Sequence, residues 1–216
     1  MEKESVTLHM AWHIDALLHP FHVTIVTTVD PQGNINAAPY SLLIPFSSSP
    51  KNPQMLLIVM KAWHTAKNIE ANGEFVINYP KADQLKDITA TARYYPAGVN
   101  ELDYTRYTTM PARTVRPPRI VECFQHIECR VCEIIRPSSM QVNFIADVLD
   151  ISVNKGSYDI PRTERAHNVS VPVYFGPDFG LNEQYHLYGQ VNEIHSEPAE
   201  LNRVNTQGPC VDKRHS

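Results

Sequence analysis

The chain has 216 residues, of which 43% are hydrophobic and 19% charged, with a formal net charge of -4. That length supports one substantial core, and the composition excludes a disordered chain. The acidic balance excludes non-specific nucleic-acid binding, which needs a basic face, but leaves room for a local cationic pocket.

The opening residues, MEKESVTLHMAWHIDALL, carry early acids and no unbroken apolar segment, so they do not read as a secretory signal. No stretch approaches the roughly 18 consecutive apolar residues of a membrane span. The expectation is a cytoplasmic protein without a membrane partner, in which Asn168-Val169-Ser170 has no meaning as a glycosylation acceptor.

Residues 21–29, FHVTIVTTV, are β-branched and predict a strand, and DPQGN at 30–34 predicts a turn. A second strand is expected over 35–46, INAAPYSLLIPF, making a hairpin. Pro39 and Pro45 remove ladder donors there, so this strand must bulge, lie on an edge or break its pairing. The run QMLLIVMK at 54–61 predicts a strand buried on both sides. A helix is expected to start near His64 and Thr65 and to end at Asn72-Gly73, where glycine suits the left-handed stop. EFVINY at 74–79 reads as a strand, and 81–95 as a second helix with Asp83 as its cap. Residues 96–119 predict no regular element. IECRVCEII at 127–135 and VNFIADVLDISV at 142–153 read as strands, as does 185–194. At least six strands, few short helices and no β-α-β alternation predict a mainly β (α+β) protein: an antiparallel barrel decorated with helices. One domain over 1–195, with an N-terminal extension, and a polar tail over 196–216 are expected.

Four cysteines stand at 123, 129, 132 and 210. Cys129 and Cys132 form a C-x-x-C, but on a strand residues three apart face opposite ways, so no metal is expected. The ten histidines show no tight ligand spacing, and no glycine-rich nucleotide loop or G-x-S-x-G elbow is present. What remains is the stretch 38–78. Ser47, Ser48 and Ser49 are ordinary turn residues taken alone, and Thr65 is an ordinary helix-start residue. Taken together with Lys61 or Lys67 beside a helix N-terminus, they suit a phosphate.

The run HPFHVTIVTTVDPQGNINAAPYSLLIPFSSSP, followed by TAKNIEANGEFVINYP, resembles the flavin reductase-like, FMN-binding split-barrel family, especially its flavoredoxin branch. The resemblance rests on N-x-A-P-Y-S, a serine-rich loop and T-x-x-N-I-x-x-x-G-E-F-V-x-N, and continues in RPPRIVECFQHIECRVCEII. It covers roughly residues 20–153. It implies a split-barrel homodimer with FMN near the subunit interface, Ala38, Pro39, Tyr40 and Ser41 along the isoalloxazine, and Asn78 close to the ring. Ser47, Ser48, Lys61 and Thr65 would hold the phosphate. His64 replaces the family's usual Asp, and Lys67 its frequent Arg. The implied activity is NAD(P)H-dependent reduction of flavin, or flavoredoxin-like electron transfer to a protein or iron-complex acceptor. The alternatives are a non-enzymatic flavin electron carrier and a structural or heme-binding split barrel.

Overall fold

The computed structural model describes residues 3–8, 13, 16, 17, 19–178 and 185–191. The expected tail, Cys210 and part of the N-terminal extension lie outside the described residues.

The first expected strand divides in two. Phe21–His22 (β1) pairs with a late strand, whereas Thr24–Val29 (β2) pairs with Ile35–Tyr40 (β3) across the DPQGN turn. Asp30 builds that turn, accepting from the backbone N–H groups of Gln32 and Asn34. Leu43–Ser47 (β4) follows β3 after two residues, but it pairs with Gln54–Met60 (β5) instead of β2. Glu74–Tyr79 (β6), Gln125–Ile135 (β9) and Gln141–Val153 (β10) complete a seven-stranded sheet in the order β3-β2-β6-β9-β10-β5-β4, antiparallel throughout.

The single strand expected over 35–46 is thus one extended run that changes partners near Ser41. This has a geometric consequence. Laid flat, seven strands would separate β3 from β4 by roughly 29 Å at ~4.8 Å per gap. Tyr40 and Leu43 are three Cα steps apart, about 11 Å at most. The sheet must therefore curl until its two edges meet, and Leu42 already accepts the Ile58 N–H of β5. Pro39 falls at the free edge of β3, and Pro45 sits beside a register slip in β4. Both prolines stand where no ladder donor is needed.

The barrel interior is filled by Val26, Leu57, Phe75, Ile77, Cys129 and Phe144, with Ala66 and Ile69 inserted from the helix His64–Asn72 (α1). That helix stops at Gly73, whose φ of 70° permits the left-handed turn and whose N–H donates to the Ile69 carbonyl. β5 is not buried on both sides as expected: Met55, Leu57 and Val59 face inward and their neighbours are half-buried.

A second core lies outside β2. Val23, Ile25 and Ala37 pack against Ile88, Leu102, Tyr107, Ile120 and Cys123, so β2 is buried on both faces. Ile88 belongs to Leu85–Thr91 (α2), shorter than the expected 81–95 because a 3-10 turn, Ala82–Gln84, precedes it. Asp83 does not cap this helix; the Gln84 side chain accepts the Lys81 N–H instead. Glu101–Tyr104 forms another 3-10 turn in the region expected to be irregular, and Thr109–Met110 (β7) pairs with Arg119–Ile120 (β8). Beyond the barrel come Arg162–His167 (α3), Pro172–Asp178 (β11) and Tyr185–Gln190 (β12), with β11 pairing both β1 and β12.

Candidate functional site

Alternation along β3 sorts its side chains. Asn36, Ala38 and Tyr40 turn toward the barrel interior, while Ala37 joins the outer core. The Asn36 amide donates to Thr65 Oγ1 at 3.1 Å and to Thr28 Oγ1 at 3.3 Å. Asn68 of α1 donates to the same Thr28 hydroxyl at 3.1 Å. This buried polar group, interior to the sheet, fixes the first turns of α1 against β2 and β3.

On the free edge of β3, the Ala37 N–H donates to Glu101 Oε2 at 2.7 Å. Glu101 is 5% exposed. Burial pushes its carboxyl above the usual carboxylate range, against the pull of the Ala37 N–H. Two positions on, Pro39 has no N–H to offer. The edge is therefore closed to strand addition at both positions, and the extended segment 38–41 keeps a half-open face.

The N-terminus of α1 opens beside that segment. Trp63 occupies the capping position in an extended conformation without a side-chain cap, and no acidic residue stands in the first turn. The leading N–H groups of a helix have no partners within it and carry partial positive charge. Thr65 is buried there at 1% exposure. The Tyr40 hydroxyl, on a side chain 5% exposed, has no hydrogen-bond partner. Burial pushes that phenol far up. The Thr65 hydroxyl draws it partly back from nearby, outside hydrogen-bond geometry, and the Glu101 charge raises it slightly further. The Trp63 ring lies 5.9 Å from the Tyr40 ring, and Tyr94 lies 6.4 Å from His64.

The structure brings together some of the expected residues and separates others. Ala38, Pro39, Tyr40 and Ser41 form one stretch at the α1 mouth. Tyr40, however, turns its ring inward, into the barrel core. Lys61 is exposed, with its backbone N–H held by the Met140 carbonyl and its side chain directed by no ion pair among the described residues. Ser47 and Ser48 do not join Lys61 and Thr65 within one chain. Ser47 pairs with Gln54 at the start of β5, and Lys61 follows the other end, roughly 20 Å away at ~3.3 Å per residue. A hairpin places its turn opposite the far ends of its strands, and Ser47 accepts the Ser49 N–H as ordinary turn chemistry.

Asn78 is the remaining expected residue. It is fully buried on the outer side of the sheet, donating to the Ile25 carbonyl and Thr27 Oγ1 and accepting the Ile120 N–H at 2.8 Å. It clamps β8 to the sheet and has no face left for a ring. The residues that sequence reasoning missed are Asn36, Asn68, Trp63 and Glu101. Asn36 begins the N-x-A-P-Y-S motif and could have been found there. Glu101 lies 64 residues from Ala37, and nothing local announces it.

Cys129 is in the barrel core, its thiol pushed up by burial, while Cys132 is exposed at a register slip between β9 and β10. No group of three metal-ligating side chains occurs among the described residues. Nor is any helix among them long and apolar enough to cross a membrane.

The curled sheet has close counterparts. A Bacillus cereus structure, nitrilotriacetate monooxygenase component B, superposes with a TM-score of 0.74 at 17% identity, covering 91% of this chain and 100% of that one. Flavoredoxin of Desulfovibrio vulgaris gives 0.69 at 18% identity, covering 93% and 99%. A split-barrel protein of Shewanella frigidimarina gives 0.71 at 20% identity, covering 87% and 90%. At such identities these likenesses establish the fold, a split barrel. In sequence, an uncharacterized protein of Methanothermobacter thermautotrophicus is 34% identical over 119 residues, which span 54% of this chain and about half, 54%, of that protein. The model of the flavin reductase like domain matches residues 17–165. That stretch holds the whole barrel together with the α1 mouth, and the chain belongs to the flavin reductase-like domain family.

Proposed function

We propose that this chain is a flavin-binding oxidoreductase that holds FMN against residues 38–41, with the phosphate at the N-terminus of α1. The observation that carries this reading is a combination at one spot. An uncapped nine-residue helix opens beside Thr65 and a buried, unpartnered Tyr40 hydroxyl, with exposed Lys61 two residues before Trp63. Helix N–H groups, a hydroxyl and an ammonium are what a phosphate dianion recruits. The proposed contacts to the flavin are Ala38, Pro39, Tyr40 and Ser41 along the ring, with Lys61 and Thr65 at the phosphate.

The flavin supplies the redox chemistry when bound. The protein's part is to orient the ring along the β3 edge, anchor the phosphate, and hold the site's shape through Asn36 and Asn68. A nicotinamide nucleotide, NADH or NADPH, is the proposed reductant, and free flavin, an iron complex or a protein the acceptor. The three described cysteines are free, which fits a reducing compartment such as the cytoplasm. The proposed assembly is a homodimer, supported by edge-strand residues Ile44 and Phe46, 51% and 54% exposed.

The test is differential titration of FMN and riboflavin, which share the ring and differ by the phosphate. Two charge-assisted hydrogen bonds at about 1.5–3 kcal/mol each predict FMN binding roughly a hundredfold tighter or more. Lys61→Ala combined with Thr65→Val is expected to erase most of that preference. Equal affinity of the wild type for both ligands would sink the phosphate assignment.

A further inference from the structure

A small polar cavity beside the outer core is built from none of the residues proposed to touch the flavin. It measures about 190 Å³ and is lined by Asp83, Gln84, Asp87, Arg106, Tyr107 and Glu122. That is below the roughly 300–1,000 Å³ of drug-sized ligand sites, so it suits a small molecule. The charges on its walls do not cancel. Asp87 is buried and takes Nε and Nη2 of Arg106 on one oxygen, at 3.0 and 2.6 Å. Asp83 and Glu122 enter no ion pair among the described residues. Glu122 accepts the N–H and hydroxyl of Thr108, which is neutral. Gln84 is spent on the Lys81 N–H and the Glu122 carbonyl. Two negative charges are left without a cation.

One wall is also unfinished. Tyr107 is 6% exposed, and its hydroxyl has no hydrogen-bond partner. Burial pushes that phenol far up, Cys123, Asp87 and Glu122 push it further, and Arg106 draws it back. Asp87, Glu122 and Arg106 all line the cavity, so the hydroxyl end of the ring is turned toward its charged side. Leaving a buried hydroxyl unpaired is destabilising, and a ligand that bonds it relieves the penalty. An anion would meet three carboxylates there, and no group of three metal-ligating side chains occurs among the described residues. An ammonium brings three donors, enough for a carboxylate and the Tyr107 oxygen together. We propose that this cavity binds a short aliphatic diamine, its two ammonium groups answering the unpaired carboxylates of Asp83 and Glu122, with the Tyr107 hydroxyl as a further acceptor.

The experiment titrates diaminobutane into the protein by calorimetry, with butylamine as the single-charge comparison. A charge-assisted contact is worth about tenfold in affinity or more. The diamine is expected to bind saturably, one per chain, about tenfold tighter than butylamine. Asp83→Asn alters an exposed side chain, and Tyr107→Phe removes only the hydroxyl. Each should weaken diamine binding about tenfold, with thermal melts showing that the variants fold. If Tyr107→Phe does not fold, Asp83→Asn decides alone. Asp159→Asn, at an exposed acid outside the cavity, should change nothing. Absence of saturable binding, equal affinity for the two amines, or an affinity that the cavity variants leave unchanged overturns the proposal. So does an equal loss in Asp159→Asn, which would mean attraction to the acidic surface as a whole.

Discussion

Glu101 holds an unusual position for a carboxylate, nearly buried against the edge of β3 with the Ala37 N–H as its partner. Its pKa is raised by burial. The folded protein therefore binds more protons than the unfolded chain once pH exceeds the ordinary glutamate value of about 4.3. Stability contributed by this residue is then present at low pH and declines as pH rises through the raised value. Glu101→Gln keeps an acceptor for Ala37 and removes the ionisation, so urea titrations across pH should show a shallower decline than wild type. Glu101→Ala leaves the Ala37 N–H unpaired and is expected to cost about 1–3 kcal/mol. A pH profile for Glu101→Gln superimposable on wild type would show that Glu101 does not titrate in this window.

At the scale of elements, α1 is the piece on which the proposed site depends. It is short, nine residues, and isolated helices of that length are not stable, so its position comes from tertiary ties. Those are Ala66 and Ile69 in the barrel core, the Asn36–Thr65 and Asn68–Thr28 bonds, and the Gly73 stop. A Cβ at Gly73 would meet nothing within 4 Å, so only the backbone conformation opposes substitution there. Gly73→Ala should lower stability by about 1–2 kcal/mol, the cost of a left-handed non-glycine residue. Gly73→Asn should lower it less, because asparagine tolerates that region. Thermal melts of the two variants rank them, and an alanine variant as stable as wild type would mean the turn relaxes.

For the whole molecule, the barrel closes through a strand that leaves apolar side chains uncovered. Ile44 and Phe46 point away from the core on β4, and Ile151 on β10 is 55% exposed. Covering such a face with a second copy would stabilise both. Light scattering is expected to give twice the 24.5 kDa chain mass, and Ile44→Glu with Phe46→Glu should shift it toward one chain while far-ultraviolet dichroism is retained. A wild-type mass of one chain would count against the dimer.

Patterns confined to neighbouring residues were legible in the sequence. The β-branched run at 24–29, the turn at 30–34, the α1 stop at Gly73 and the strands at 127–135 and 142–153 all follow from local propensity, as did the assignment to a mainly β barrel. The proposed placement of Ala38 to Ser41 against a flavin came from the family resemblance of the N-x-A-P-Y-S motif, whose residues follow one another along β3 and just beyond it. Tertiary structure decided the rest. Whether residues 43–47 pair with β2 or β5 depends on sheet closure, which no local preference encodes. That choice sends Ser47 and Ser48 to the far end of β5. Asn78 shows the same limit: its strand was evident, but which face of a sheet buried on both sides it occupies is settled only when β8 docks and Ile120 donates to it. Glu101 reaches Ala37 across 64 residues because α2 and the turn after it fold back over the edge of β3, a contact set by packing of the outer core.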